Sequence, residues 1–375
     1  MKVSLLQENL AKGVLMVGRV VASKTQLPVL SNILLATEKG KLRVSATNLE
    51  TGINLWISSK IDKPGKITVP AKVFLELVSS LPKDTIVLET EGERLKVTCG
   101  KFKSTINGIL AEEFPEVPSL KSGKKKGTKS FKVKTDILEA CVDQVAMAAG
   151  IDETRPIFTG VKWEISKNIK LAATDGYRLS VKTIKGVRSL EKDLKEMVVP
   201  AKALMELTKI ISKVDDEEVL VAVTDKEKQL ILALKDVEVV TRLIEGEFPD
   251  FEKIIPKTSS TTIELDREEL IQAVRVAAIF ARDSANIVKF KIIGSDLLIS
   301  ANAPQVGENE VKVNIEKKGE ETEIAFNSRY LLEILGLVKA ERLTLSMSGP
   351  LSPGVFKEVS DKDFLHIIMP VRVRG

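Results

Sequence analysis

One histidine, two cysteines and an aromatic content of 4% are spread over 375 residues, and each scarcity excludes something. His366 stands alone in the apolar stretch from Phe364 to Met369, so histidine acid–base pairs and paired-histidine metal helices are out of reach. Cys99 and Cys141 support neither a disulfide framework nor, by themselves, a metal site; they read as small buried apolar residues. No apolar run approaches the ~20 residues that span a bilayer, and no charged-then-apolar leader opens the sequence. The expectation is a cytoplasmic protein with no membrane contact. Gly-x-Ser-x-Gly is missing, as is a glycine-rich loop ending in Lys-Ser or Lys-Thr. The nearest lookalike, residues 122–128, lies in a Gly-, Ser- and Lys-rich linker. Asp175 and the Asp215-Asp216 pair are too few carboxylates to cage a hard cation. The reading is a non-enzyme that needs no cofactor and no metal.

What the chain does have is repetition. A hydrophobic content of 43% and a charged content of 29% describe ordinary globular domains, and the length suits two or three of them. Val3, Phe131 and Ile263 open equivalent segments 128 and 132 residues apart; Ala46, Ala173 and Ala301 are 127 and 128 apart, and Pro70, Pro200 and Asn327 are 130 and 127 apart. Three anchors agreeing on one period make three units, with expected bounds 1–121, 129–255 and 256–375. Each opens with a short strand and a helix whose apolar positions form one stripe: Leu10, Val14, Val17, Val21; Leu138, Val142, Val145, Ala149; Leu270, Val274, Ala277, Ala281. Strands follow, then a second helix, as at Ala71 to Leu81, then strands again. Leu95, Val97 and Cys99 alternate with Lys96 and Thr98, the mark of a sheet wet on one side. The fold class expected is α+β: three repeated domains, each with two helices packed on antiparallel sheets.

The net charge of +5 and a pI near 8.9 permit a polyanionic partner without requiring one. Distribution is more telling. Lys12 and Arg19, Lys202 and Lys209, and Arg275 and Arg282 lie opposite the apolar stripes, seven apart, so each pair shares an exposed line. The second helix of every unit carries a cation at the matching place: Lys72, Lys202 and Arg329. The helix from Asp136 departs from the rule, with Asp136, Glu139 and Asp143. Cations with few aromatics between them suit sequence-independent contact with duplex phosphates rather than base stacking on single strands. Against this repetitive frame one stretch stands out. Leu171 to Val181 shares the strand–turn–strand frame of Leu42 to Leu55 and of the segment from Leu297, yet it alone places Tyr177, Arg178 and Leu179 at the turn exit.

The chain resembles the bacterial DNA polymerase III beta subunit (sliding clamp) family. The motifs are Leu27 to Asn32 (LPVLSN), Ala46 to Glu50 (ATNLE), Val69 to Lys72 (VPAK), Glu112 to Pro115 (EEFP), Thr154 to Gly160 (TRPIFTG), Thr174 to Leu179 (TDGYRL), Gly246 to Asp250 (GEFPD) and Met369 to Val373 (MPVRV). They run through all three units in order. The resemblance implies a DNA polymerase processivity factor: a head-to-tail homodimer closing into a ring around duplex DNA, each chain forming half. It implies a hydrophobic cleft that binds linear peptides of the clamp loader, the polymerase III catalytic subunit, other polymerases and repair proteins. The matching cleft residues are Phe158, Thr174, Gly176, Tyr177, Arg178, Leu179, Pro249, Ile254, Met369, Pro370, Val371 and Arg372, with Arg178 and Arg372 expected at the rim. DNA contacts fall on Lys24, Lys72 and Lys202, with Arg155 added and Arg329 supplied by the repeat. The subunit interface falls on Ser104, Ile106, Ile279 and Phe280. Asn48 stands where the family has Asp, which removes a charge from the first turn but not the fold. The alternative is a peptide-binding scaffold that does not encircle DNA.

Overall fold

The computed structural model describes residues 1–22, 27–121, 128–187, 196–224 and 228–372. Among them are six α-helices: α1 (Gln7–Val17), α2 (Ala71–Ser80), α3 (Thr135–Ala146), α4 (Ala201–Ile211), α5 (Arg267–Ala281) and α6 (Ser328–Leu337). Their apolar stripes are buried as the spacing predicts. Leu10, Val14 and Val17 are fully covered, as are Leu270, Val274, Ala277 and Ala281. Val21 is the exception, since α1 ends at Val17 and Val20 in the following 3-10 turn is buried instead. Neither α1 nor α2 has a side-chain N-cap. A cap contributes about 1 kcal/mol, whereas each buried leucine or valine contributes about 1.5–3 kcal/mol, so packing holds these helices. Gln7 adds a tie: its Nε2 donates to the Val78 carbonyl at 2.6 Å, fastening the start of α1 to the end of α2.

The described strands form four antiparallel sheets. They belong to two compact units, one of residues 1–136 and 206–243, the other of residues 137–187, 196–205 and 244–372.

In the first unit, a five-stranded sheet runs Lys60–Lys63, Lys2–Leu6, Thr85–Glu91, Arg94–Cys99, Phe102–Asn107. Leu95, Val97 and Cys99 are buried while Lys96 is exposed, as alternation requires. The unit's eight-stranded sheet joins four strands of the first repeat to four of the second, where Val237–Arg242 pairs with Thr51–Ser58.

In the second unit, a nine-stranded sheet joins second- and third-repeat strands in the same way, through Arg178–Ile184 paired with Phe364–Ile368. Its four-stranded sheet runs Gly307–Asn314, Asp296–Ala303, Ile287–Ile293, Glu323–Asn327. α5 and α6 pack with it over a core that includes Phe290, Phe326 and Phe356. The compact units therefore divide the middle repeat, because its two groups of strands continue two different sheets.

Candidate peptide cleft and basic helix ends

The turn between Thr174 and Arg178 is built by its own side chains. Thr174 Oγ1 accepts from the Gly176 amide at 3.0 Å and donates to the Arg178 carbonyl at 2.6 Å. Asp175 Oδ1 accepts from the amides of Tyr177 and Arg178 at 2.9 and 3.0 Å. Gly176 takes φ +95°, where a side chain would be strained. The first repeat makes the same turn with other residues: Asn48 Oδ1 accepts from Glu50 and Thr51 at 3.0 and 2.7 Å, and Leu49 adopts φ +76°. Asn48 thus replaces an aspartate without loss of the turn, because both offer the same acceptor oxygen. Glu50 and Thr51 occupy the places of Tyr177 and Arg178.

Both turns receive the next repeat in register. Met369 N donates to Tyr177 O at 2.8 Å, and Arg242 N donates to Glu50 O at 3.0 Å. In the first unit the Thr51 and Thr241 hydroxyls then meet at 3.4 Å. In the second, Arg178 faces Ile368. Val371 N bonds to Ala325 O at 2.8 Å, so the segment after the last strand is laced to the strand before α6.

The expected cleft residues separate into layers. Tyr177 is 62% exposed and Ile254 37%, and Gly176 and Arg372 are also exposed. Phe158, Pro249, Met369, Pro370 and Val371 are half-buried. Thr174 and Leu179 are buried: Thr174 holds the turn, and Leu179 packs with Ala172, Val181, Val198, Phe248, Phe251, Val355 and Ile367. Leu179 therefore floors the site from the core and offers no free side chain. Phe248 and Phe251 meet edge to face at 6.4 Å, which fixes the segment bearing Pro249 and Ile254.

Arg178 corrects the expectation of a rim cation. It is 8% exposed, its Nε pairs with Asp175 Oδ2 at 3.1 Å, its Nη1 bonds to Glu333, and its guanidinium lies 4.6 Å from the Tyr330 ring centre. A buried guanidinium requires such partners. Tyr330 and Glu333 were missed in the sequence, and Asp175 was weighed there only as a cation ligand, not as the partner of Arg178. The only signal was Asp175 three residues before Arg178, since the α6 residues lie about 150 positions away.

His366 is fully buried with its Nδ1 2.6 Å from Ser180 Oγ. Burial, followed by the nearby Arg178 charge, pushes its pKa down to about 3. It serves the core. Burial likewise pushes the Cys141 thiol up to about 12, and Cys99 and Cys141 are both free and buried.

Lys72, Lys202 and Arg329 are each the second residue of a helix, in α2, α4 and α6, and each is exposed. A cation at a helix N-terminus opposes the macrodipole, so local stability does not explain the placement. Lys202 pairs with Glu153 at 3.1 Å, with both side chains well exposed. Arg155 pairs with Asp152 at 3.5 Å and lies 5.0 Å from the Phe158 ring centre. Lys24 falls outside the described residues. Lys12, Arg275 and Arg282 are exposed as expected, but Arg19 lies past the end of α1, and it shares Glu206 with Lys209.

Of the interface residues, Ile279 is 55% exposed while Ser104 and Phe280 are half-buried. Ile106 is 6% exposed and turned into its own unit, so it presents backbone rather than side chain; Phe102 on the same strand is 46% exposed. That strand, Phe102–Asn107, and Gly307–Asn314 are each an outermost strand of a sheet.

Comparison with known proteins follows this geometry along the whole chain. Residues 1–118, 132–250 and 252–372 match the N-terminal, central and C-terminal domain models of the DNA polymerase III beta subunit. The chain belongs to the DNA polymerase III beta subunit family. Its role is that of a polymerase processivity factor. The beta sliding clamp of Bacillus subtilis is 30% identical over 385 residues, covering 99% of this chain and all of that one. Among solved structures, the clamp from Bartonella birtlesii bound to griselimycin has a TM-score of 0.93 at 27% identity, and that from Pseudomonas aeruginosa bound to griselimycin 0.92 at 28%. Each covers the full length of both chains. The family likeness accounts for the fold: three clamp domains of helices on antiparallel sheets. As to membranes, no helix of the described residues is long and apolar enough to cross one.

Proposed function

We propose that two copies of this chain close head to tail into a ring around duplex DNA, and that the Tyr177 turn with the Met369–Arg372 segment forms a cleft for linear peptides. The clamp loader, the polymerase III catalytic subunit, other polymerases and repair proteins are the partners this reading assigns to the cleft. Domain limits of 1–121, 129–255 and 256–375 go with it. Closure would join the sheet edge Phe102–Asn107 of one copy to the edge Gly307–Asn314 of the other, with Ile279 and Phe280 alongside, by strand addition. Lys72, Lys202 and Arg329, joined by Arg155 and Lys24, would meet phosphates without reading sequence.

The observation that carries the cleft is the exposed Tyr177 ring, held by a self-bonded turn beside a half-buried apolar segment that is bonded to it through Met369. A rigid aromatic next to apolar pockets is the usual anchor of a small recognition site. The reading is tested with griselimycin as the probe, by calorimetry on the full chain and on Tyr177→Ala and Arg372→Ala. Binding that weakens at least about tenfold in Tyr177→Ala is expected; griselimycin binding unchanged in both variants overturns this cleft. The ring is tested by retention on nicked circular against linear DNA. Equal loss from both, from a chain that is monomeric at every concentration, would favour the non-encircling scaffold.

A further inference from the structure

The three repeats make two sheet joints inside the chain and leave the halves of a third on its free edges. On the receiving side, Ala46 faces Ile53, Ala173 faces Ser180 and Ala301 faces Asn309, so Ile53, Ser180 and Asn309 are equivalent. On the incoming side, Val97 faces Ser104, Leu232 faces Val239 and Phe356 faces His366. Ser104, Val239 and His366 are equivalent as well. Val97, Leu232 and Phe356 lie opposite Leu88, Val221 and Leu345, which lie opposite the repeat-opening Val3, Phe131 and Ile263. Both internal joints then obey one rule: Val239 pairs with Ile53, and His366 with Ser180. Applied to the free edges, the rule sets Ser104 of one copy opposite Asn309 of another. Lys103 then faces Glu310, Thr105 faces Glu308, and Phe102 faces Val311.

The side chains at those edges fit this register. The first joint buries Ile53 against Val239, and the second sets Ser180 Oγ 2.6 Å from His366 Nδ1. At the equivalent place Asn309 is half-buried, with its Oδ1 enclosed and without a hydrogen-bond partner. A serine hydroxyl both donates and accepts, so Ser104 can serve either end of that amide. Lys103, Glu308 and Glu310 are exposed and form no ion pair among the described residues. Val311 packs on the core of the third repeat, and Phe102, 46% exposed, would extend that apolar surface. Other registers lose these matches. A slip of one residue turns the core face of a strand outward. A slip of two residues one way sets Asn309 against Ile106, and Lys103 against Lys312, whose carboxylate is already Asp296. The opposite slip sets Asn309 against Phe102. We infer that copies of this chain join in one register only, Ser104 opposite Asn309, and that this polar pair together with Lys103 and Glu310 selects it. A polar pair set in an apolar seam is an established way to fix register, and opposite charges add orientation.

The inference rests on closure by strand addition, and its test separates the two. Met369 N donates to Tyr177 O, and mutual backbone bonds alternate from there, so Ser180 and His366 form a pair without them. Ser104 and Asn309 would do the same, with Cα atoms about 4.5 Å apart, inside disulfide range. Full-length Ser104→Cys/Asn309→Cys should therefore oxidise to a covalent dimer on a denaturing gel, judged against the parent, whose two thiols are buried. Ser104→Cys/Gly307→Cys and Ser104→Cys/Val311→Cys place the thiols on a diagonal about 7–8 Å long and should link at least about tenfold more slowly. Faster linking by either of these overturns the register and leaves strand addition in place. No linking by any of the three, from a chain that light scattering shows to be dimeric, means that closure does not use these edges, and the inference fails with it. A chain that is monomeric at every concentration has the same consequence. The charge pair is tested by sedimentation: Lys103→Glu should weaken the dimer roughly five- to tenfold, and Lys103→Glu/Glu310→Lys should restore it. A swap that restores nothing overturns selection by Lys103 and Glu310.

Discussion

The Arg178 guanidinium lies 4.6 Å from the centre of the Tyr330 ring while its Nε holds Asp175 at 3.1 Å. One buried cation thus ties the turn that carries Tyr177 to helix α6, whose first residues include Arg329. In the first unit the matching place holds Thr51 against Thr241, two hydroxyls 3.4 Å apart. The two sheet continuations share their backbone bonding and differ in this side chain.

Arg178→Ala should destabilise the chain by about 2–4 kcal/mol, at or below the range for breaking a buried pair, since Asp175 keeps its two backbone donors. Arg178→Lys should recover only part of this, because an ammonium has neither the planar stack nor the fork. Urea denaturation measures both; an Ala variant as stable as the parent would show that the network contributes nothing.

His366 makes stability depend on pH in one direction. Its folded pKa of about 3 lies below the unfolded value of 6.5, so the unfolded chain takes up a proton that the folded chain refuses. The stability this protects is complete above pH 6.5 and falls as pH drops from there toward 3. Between pH 5.5 and 4 the parent should lose about 1.4 kcal/mol per pH unit more than His366→Asn. Parallel stability curves for the two proteins would contradict this.

Neither thiol should react while the chain is folded. Cys141 is pushed up to about 12 and Cys99 is raised, both chiefly by burial, and the thiolate is the reactive form. A chromogenic disulfide reagent at pH 8 should therefore release colour only after denaturant is added. Prompt release from the native chain would mean that one cysteine is accessible.

Charge reversal at the helix ends should act unequally. Lys72→Glu and Arg329→Glu remove cations for which the described residues offer no carboxylate, whereas Lys202 is already paired with Glu153. The first two should each lower the slope of log affinity against log salt on duplex DNA by about 0.9, and Lys202→Glu by less. Titration of labelled duplex at several salt concentrations measures this, and slopes unchanged in all three variants would remove these residues from the DNA face.

Ile279→Asp and Ile106→Asp should fail in different ways. Ile279 is 55% exposed, so its variant should keep its thermal stability and dissociate in light scattering. Ile106 is 6% exposed, so its variant should lower stability first, because a buried unpaired carboxylate is costly. A stable, fully dimeric Ile279→Asp would exclude that residue from the interface.

By itself the sequence determined what is local or periodic. The stripes at Leu10, Leu138 and Leu270 face a core wherever the chain folds, since their spacing matches the helix turn. The 127–132 residue period gave the repeats, and Thr174, Asp175 and Gly176 build their turn from bonds spanning at most four positions. Tertiary structure decided what depends on distant partners. Arg178 reads as a rim cation until Glu333 and Tyr330 arrive from α6, and Leu179 reads as a contact residue until Phe248, Val355 and Ile367 cover it. Lys202 reads like Lys72 until Glu153 is placed beside it. The reason is one of range: backbone geometry and periodicity are set within a few residues, whereas burial and charge compensation are properties of neighbours that only the folded sheets bring together.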